Sequence, residues 1–352
     1  DRVTIRGVRV FNHVSYNNDG LDIDGCRDVC ISECMFDSDD DALCLKSTLD
    51  RACENVTISN CVLSSHCNAV KMGTESNGGF KNITITNCAI SSPRYSKPTY
   101  GRETGIGGIA LEIVDGGTLD GVNVSNVSID GVAVPIFLRL GNRARPFTPD
   151  GPKPALGSFR NVNIHNVIAR GASPIGCSIT GLPEHCIEGV SLSNFQFTFA
   201  GGGGADLAAA DVPEHPEKYP ESTMFGTLPA YGFYCRHVRG LRMDDVRLQT
   251  AEPDERHAIV CDDVSDLTIS GLEACGTSSG PALIRLTDTA TALITGCRPI
   301  GPIGTMLRLE GQATRQITLL GNDLGGVGCV SDAAEDVPKH ALFQTANRLP
   351  EK

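Results

Sequence analysis

RDVCISECMF at 27–36, ENVTISNCVL at 54–63 and KNITITNCAI at 81–90 are copies of one phrase, N-V-x-I-x-N-C, returning every 27 residues. Cys34, Cys61 and Cys88 share its phase. Weaker copies follow in LDGVNVSNVSI from Leu119, FRNVNIHNVIA from Phe159, EGVSLSNFQF from Glu188, RGLRMDDVRL from Arg239, SDLTISGL from Ser265 and RQITLLGN from Arg315. Each alternates apolar with polar residues over four or five positions, which is the period of a strand. A strand so short buries little by itself. Stacked on its neighbours, it pairs every backbone N–H and C=O while in-phase Val, Ile and Cys form interior columns. The phrase therefore predicts an all-β solenoid, a parallel β-helix of roughly ten rungs. The Cys column then reads as a ladder of small buried thiols and not as a metal site.

Length and composition agree with a solenoid. A chain of 352 residues exceeds what one compact core usually holds, so it is either two domains or one elongated repeat. The repeat favours one domain over 1–352, with loop excursions near 141–157 and 200–230 after which strands resume. Hydrophobic content of 40% with 20% charged residues excludes a disordered chain, and no apolar run is long enough for a bilayer. The net charge of −12 argues against nucleic acid as a partner. The fifteen Cys are odd in number and crowd toward the N-terminal end, unlike a staple framework. No charged-then-apolar leader stands at the N-terminus, a chain starting with Asp1 reads as trimmed, and DRVTIRGVRVF at 1–11 already reads as a rung, so the protective cap is expected to be missing from this chain or supplied upstream. Bare edges at that end would favour end-to-end association; a monomer is otherwise expected.

A second strand column runs between the copies: LDID at 21–24, LCLK at 43–46, VKM at 70–72, LEI at 111–113 and IFLRL at 136–140. Its outward residues include Lys71, Glu112 and Arg139, expected on successive rungs roughly 4.8 Å apart. They form either a solvated charge ladder or part of a ligand face. The start of this face is denser in charge. NNDGLDIDG supplies Asp19, Asp22 and Asp24, and DSDDDALCLKS supplies Asp37, Asp39, Asp40 and Asp41. Carboxylates that close raise one another's pKa. Two carboxyls driven apart in pKa are what glycosidic hydrolysis requires, one protonated on the leaving oxygen and one ionised beside a water. Calcium binding is the other use of such a cluster.

These residues carry a resemblance. N-x-D-G at Asn17 or Asn18, Asp19 and Gly20, followed by Asp40-Asp41 on the next rung, resembles glycoside hydrolase family 28, the polygalacturonase-like, right-handed parallel β-helix enzymes of pectin breakdown. The resemblance implies Asp40 as general acid and Asp19 with Asp41 as holders of the attacking water, with inversion at the anomeric carbon and no metal or cofactor. The register within Asp39, Asp40 and Asp41 stays open by one residue. The family's G-H-G and R-I-K stretches correspond to SSHCNAVKMGTES and GGIALEIVDGG here. His66 lies two residues from the family histidine, as a substrate contact or a structural residue. Glu112 ends the stretch that replaces R-I-K, where it would repel a uronate, with Lys71 or Arg139 compensating from neighbouring rungs.

EKYPESTMFGTLPAYGFYCRHVRG at 217–240 resembles a phrase of bacterial members of the same family. Its Met224, Phe225, Tyr231 and Tyr234 either flank a sugar or pack on the coil. GNRARPFTPDGPKPALG at 141–157 brings Arg143 and Arg145 to the expected cleft, to read acidic sugars or as a solvated loop. The expected function is inverting hydrolysis of an α-linked, pectin-type poly- or oligosaccharide, and the resemblance places the protein in the periplasm or outside the cell. The alternative is a calcium-dependent lyase, with Lys46, Lys71 or Arg139 as base, or a non-catalytic carbohydrate-binding β-helix.

Overall fold

A computed structural model describes residues 1–94 and 97–349. It is a right-handed parallel β-helix with 56% of its residues in strands. The short helix Ala205–Ala208 is the single α-helix among the described residues, and none is long and apolar enough to cross a membrane. By internal contacts the chain forms two compact units: residues 1–172 with 214–224, and residues 173–213 with 225–352.

In the first unit the repeated phrase forms one column of strands, Val3–Arg6, Arg27–Ser32, Cys53–Ser59, Phe80–Ser91, Thr118–Asp130 and Ser158–Ala172. All neighbours pair parallel and in register, so Val29, Val56, Ile83, Val122 and Val162 stack, as do Ile31, Ile58, Ile85, Val124 and Ile164. These side chains are buried. Stacking like on like buries these side chains in continuous columns and pairs each strand with the turns next to it. Cys34, Cys61 and Cys88 are free, buried thiols, each donating to a carbonyl two residues earlier at 3.3 Å.

The asparagines of the phrase explain its corners. Asn60, Asn87, Asn126 and Asn166 turn the chain with φ of 56°, 55°, 54° and 55°. Asparagine tolerates this left-handed region better than other side chains that carry a Cβ. Their amides form an external ladder: Asn87 donates to Asn60 at 3.4 Å, Asn126 to Asn87 at 3.0 Å and Asn166 to Asn126 at 3.0 Å. Corner and ladder together select Asn, which is why the letter repeats at that phase.

The second unit repeats the plan. Val190, Leu241, Leu267, Ala292, Ile317 and Leu342 form one buried-side register across successive parallel strands. The strand Ala290–Thr295 escapes the sequence reading because alanines replace the larger residues of the phrase. Phe195, Phe197 and Phe233 stack within this unit with centroids 4.8–6.2 Å apart. Residues 200–229 contain no strand.

Candidate active site

The second column of the first unit bears the site. Its strands are Leu21–Asp24, Leu43–Ser47, Asn68–Ser76, Gly107–Ile113 and Val134–Leu140. Leu21, Leu43, Val70, Ile109 and Ile136 are stacked in register. On the outer side a cleft of about 390 Å³ is lined by Asp19, Asp22, Asp40, Asp41, Lys46, Lys71, Glu75, Tyr100, Arg143, Arg145, Tyr219 and Glu221, among others.

Backbone contacts between rungs set the carboxylates. Gly20 N–H donates to Asp41 O at 2.9 Å and Leu21 N–H to Ala42 O at 3.1 Å. A Cβ on Gly20 would lie 2.4 Å from Ala42 O and 2.9 Å from Phe36 Cβ, so only glycine brings Asp19 this close to the next turn. Asp40 is pinned through its backbone. Its N–H donates to Asn18 Oδ1 at 3.1 Å, and its carbonyl accepts from Ser38 Oγ at 2.8 Å and Ser65 Oγ at 2.7 Å. Asp40 Oδ1 in turn accepts the Asp41 N–H at 2.9 Å.

The three neighbouring aspartates have separate fates. Asp39 is fully buried and does not line the cleft; its carboxylate meets His13 Nδ1 at 2.7 Å and the Thr99 N–H at 3.0 Å. Asp40 and Asp41 line the cleft. Burial, then the charges of Asp41 and Asp19, push the Asp40 carboxyl up to about 7. Asp41 is well solvated by protein: Asn68 donates its backbone N–H and its Nδ2 to Oδ1 at 3.0 and 2.9 Å, and Lys71 Nζ lies 3.1 Å from Oδ2. Asp19 and Asp22 share Lys46 Nζ at 2.8 and 2.6 Å. Burial and the hydrogen bond to Asp19 push Asp22 up to about 6. Carboxylate oxygens of Asp19 and Asp41 lie within 4.8 Å of each other and of Cys44 Sγ.

That trio is a poor cation site. Burial holds the Cys44 thiol well above its ordinary value, and it donates to Gly73 O at 3.2 Å. Lys46 and Lys71 already neutralise the two carboxylates. A gap between two acceptors, each backed by an ammonium, suits a water molecule.

Three residues expected at the site do not line the cleft. His66 is fully buried and its Nδ1 faces Arg102 O at 2.7 Å, so it reaches no substrate there. Lys71, Glu112 and Arg139 do not share one register: Lys71 pairs with Ala110, and Glu112 pairs with Arg139. The two-residue offset puts Glu112 and Arg139 at a different level from Lys71, and both are buried. Arg139 donates to the carbonyls of Glu214 and His215 at 2.8 and 3.2 Å, holding residues 214–224 against the coil. Glu112 therefore presents no charge to a uronate. Both its oxygens are buried without a hydrogen-bond partner, and burial raises its carboxyl well above the ordinary 4.5.

A neutral Glu112 has a measurable consequence. A carboxyl raised in the folded state favours the native protein below its unfolded value, and that contribution is lost as pH climbs from there toward the folded value. Glu112→Gln should leave the melting temperature at pH 5 within about 2 °C and reduce the decline toward alkaline pH. A drop of about 10 °C at pH 5 would show instead that the group is charged and paired.

Arg143 and Arg145 reach the cleft together. Arg143 is bound to Asp115 through Nε at 2.9 Å and through its terminal nitrogen, and Arg145 lies 3.4 Å from Glu75. Sequence reasoning passed over Tyr219 and Glu221. Tyr219 OH accepts from Lys71 Nζ at 3.2 Å, and its ring lies 5.4 Å from that ammonium and 5.6 Å from the Arg143 guanidinium. Residues 148 positions apart met here, and no local pattern announces such a contact. The aromatics Tyr231 and Tyr234 of the same phrase are instead buried in the second unit.

Among solved structures the chain is similar to "a hyperthermoactive Exopolygalacturonase from Thermotoga maritima", with a TM-score of 0.50 and 17% identity over 70% of this chain and 47% of that one. The fold is polygalacturonase-like. This chain thus spans about half the length of that polygalacturonase. A second match, the Agl-KA catalytic domain, reaches a TM-score of only 0.22 at 12% identity over 92% of this chain and 62% of that one. No family model and no curated protein matches the sequence.

Proposed function

We propose that the protein is an inverting glycoside hydrolase acting on an α-linked, pectin-type poly- or oligosaccharide. The observation that carries this reading is one protonatable carboxyl, Asp40, in the same cleft as a carboxylate pair spaced for a water. Asp40 gives its proton to the glycosidic oxygen as the C–O bond breaks. Asp19 and Asp41 orient a water and take its proton as the oxygen attacks the anomeric carbon from the opposite face. The likeness to an exopolygalacturonase supports the substrate class, and a periplasmic or extracellular setting fits it.

The charges of the cleft admit an acidic sugar under mildly acidic conditions. With Asp22, Asp40 and Glu221 all shifted up, the cations Lys46, Lys71, Arg143 and Arg145 balance the remaining acids Asp19, Asp41, Glu75 and the Arg143 partner Asp115, so the cleft is not set against an anion. Arg143 and Arg145 are the residues suited to a uronate carboxylate.

The lyase alternative is less well supported: Arg139, one of its three candidate bases, is buried outside the cleft on the carbonyls of Glu214 and His215. Burial works to lower Lys46 and Lys71, yet their acidic neighbours outweigh it and hold both ammonium groups above the ordinary lysine range. An ammonium so held does not abstract a proton near neutrality. Incubation with polygalacturonate and rhamnogalacturonan oligosaccharides should release reducing ends of inverted anomeric configuration, with no need for added Ca²⁺. Unsaturated products absorbing in the ultraviolet would overturn the proposal.

A further inference from the structure

Asp39 plays no part in the cleft, yet it sits at the meeting point of two buried imidazoles. Its Oδ1 lies 2.7 Å from His13 Nδ1 and 3.8 Å from His66 Nε2, and one donor atom from each of the three residues lies within 4.8 Å of the others. Asp39 and His66 are wholly buried and His13 is 6% exposed. His66 Nε2 has no hydrogen-bond partner, an anomaly for a buried ring nitrogen.

The second polar atom of every member is already held from outside. His66 Nδ1 donates to Arg102 O at 2.7 Å, which leaves the lone pair of the neutral ring on Nε2, aimed at Asp39. His13 Nε2 faces Asp37 Oδ1 at 3.0 Å, and Asp39 Oδ2 accepts the Thr99 N–H at 3.0 Å. The two rings stand nearly perpendicular, at 79°, with centroids 5.6 Å apart. Histidines oriented through their outer nitrogen by a carboxylate or a carbonyl, with the inner nitrogen turned to a common point, are the arrangement that prepares a metal ligand. Two nitrogens and one carboxylate oxygen suit Zn²⁺ better than Ca²⁺ or Mg²⁺, which take oxygen donors.

We propose that His13, Asp39 and His66 bind one Zn²⁺, with a water as fourth ligand, and that the ion fixes the turn from which Asp40 enters the cleft. Bonds of about 2.0–2.1 Å in tetrahedral geometry place donor atoms roughly 3.3 Å apart. The His13–Asp39 contact therefore opens by about half an ångström while His66 moves in by a similar amount. The ion touches no substrate and takes no part in the chemistry proposed above; it acts only through the turn that carries Asp40.

The test uses the full chain, purified without added metal, then equilibrated with ZnCl₂ and freed of excess by gel filtration. Mass spectrometry of the metal content should give about one zinc per chain, and the melting temperature should rise by about 5 °C with Zn²⁺ but not with Ca²⁺ or Mg²⁺. Cobalt in place of zinc should give the visible bands of a four-coordinate ion without thiolate charge transfer, separating this site from the fifteen cysteines. His66→Gln should lose the metal and the thermal response. Wild-type protein that holds no zinc and melts unchanged would overturn the inference, as would a cobalt spectrum dominated by thiolate or a His66→Gln variant that keeps its zinc.

Discussion

Replacing Asp40 by asparagine is expected to lower kcat by about a thousandfold or more while leaving the protein at least as stable as before. General acid catalysis contributes about 10²–10⁴ to a rate, and asparagine fills the same space without a transferable proton. Stability moves the other way because Asp40 is strained by its surroundings: burial first, then the charges of Asp41 and Asp19, hold its carboxyl up to about 7 from 3.8. For a carboxyl raised on folding, the native state binds the extra proton, so stability is greatest below about pH 4 and falls as pH rises toward 7. The full shift is worth about 4 kcal/mol; solvent screening of this partly open group reduces the gain in the variant to about 1–2 kcal/mol at pH 8. Denaturant unfolding at pH 5 and pH 8 measures it. The wild-type kcat/KM should decline on the alkaline side above about pH 7. An Asp40→Asn protein that keeps its activity, or loses both activity and fold, removes Asp40 from the role of acid.

Lys71→Met should be the most damaging substitution to the fold. Lys71 is buried, with Asp41 at 3.1 Å and Tyr219 OH at 3.2 Å, and its positive charge also faces Glu112 and Glu221. Methionine replaces the lysine stem with an uncharged chain one atom shorter and leaves Asp41 buried opposite no cation. Breaking a buried pair from one side costs about 3–5 kcal/mol, and the attacking water loses its place with it. Urea unfolding together with the release of reducing ends reads both effects. Lys71→Arg keeps the charge and should recover much of the stability. A Lys71→Met protein as stable as the wild type would mean that the pair is not the support of the cleft floor.

Each site expectation that rested on a spacing along the chain depended on register. Asp19 and Asp40-Asp41 come together because the Gly20 N–H is bonded to Asp41 O and the Leu21 N–H to Ala42 O on the adjacent turn; that turn advances 22 residues, from Leu21 to Leu43, and the N-x-D-G and D-D motifs mark it in the sequence. Glu112 fails as a neighbour of Lys71 because this turn of the coil takes 39 residues, from Lys71 to Ala110, in place of 27, and the register it sets is two residues from the expected one. A two-residue displacement preserves which side chains point outward. Alternation therefore marked Glu112 and Arg139 as outward residues, while their level, and their burial under other chain, lay outside its reach. His66 shows the same limit: a histidine two positions from an expected site was visible, and its direction was not.

The chain's own letters determined the coil. Period, alternation and the Asn corners are local, and every rung meets a copy of itself, so self-similarity along the sequence becomes contact in space. Only the tertiary structure decided which aspartate faces the cleft and that Tyr219 and Glu221 complete it. Those outcomes depend on side-chain partners drawn from unlike segments, such as His13 for Asp39 and Lys71 for Asp41, and no periodicity encodes a meeting of segments that do not repeat.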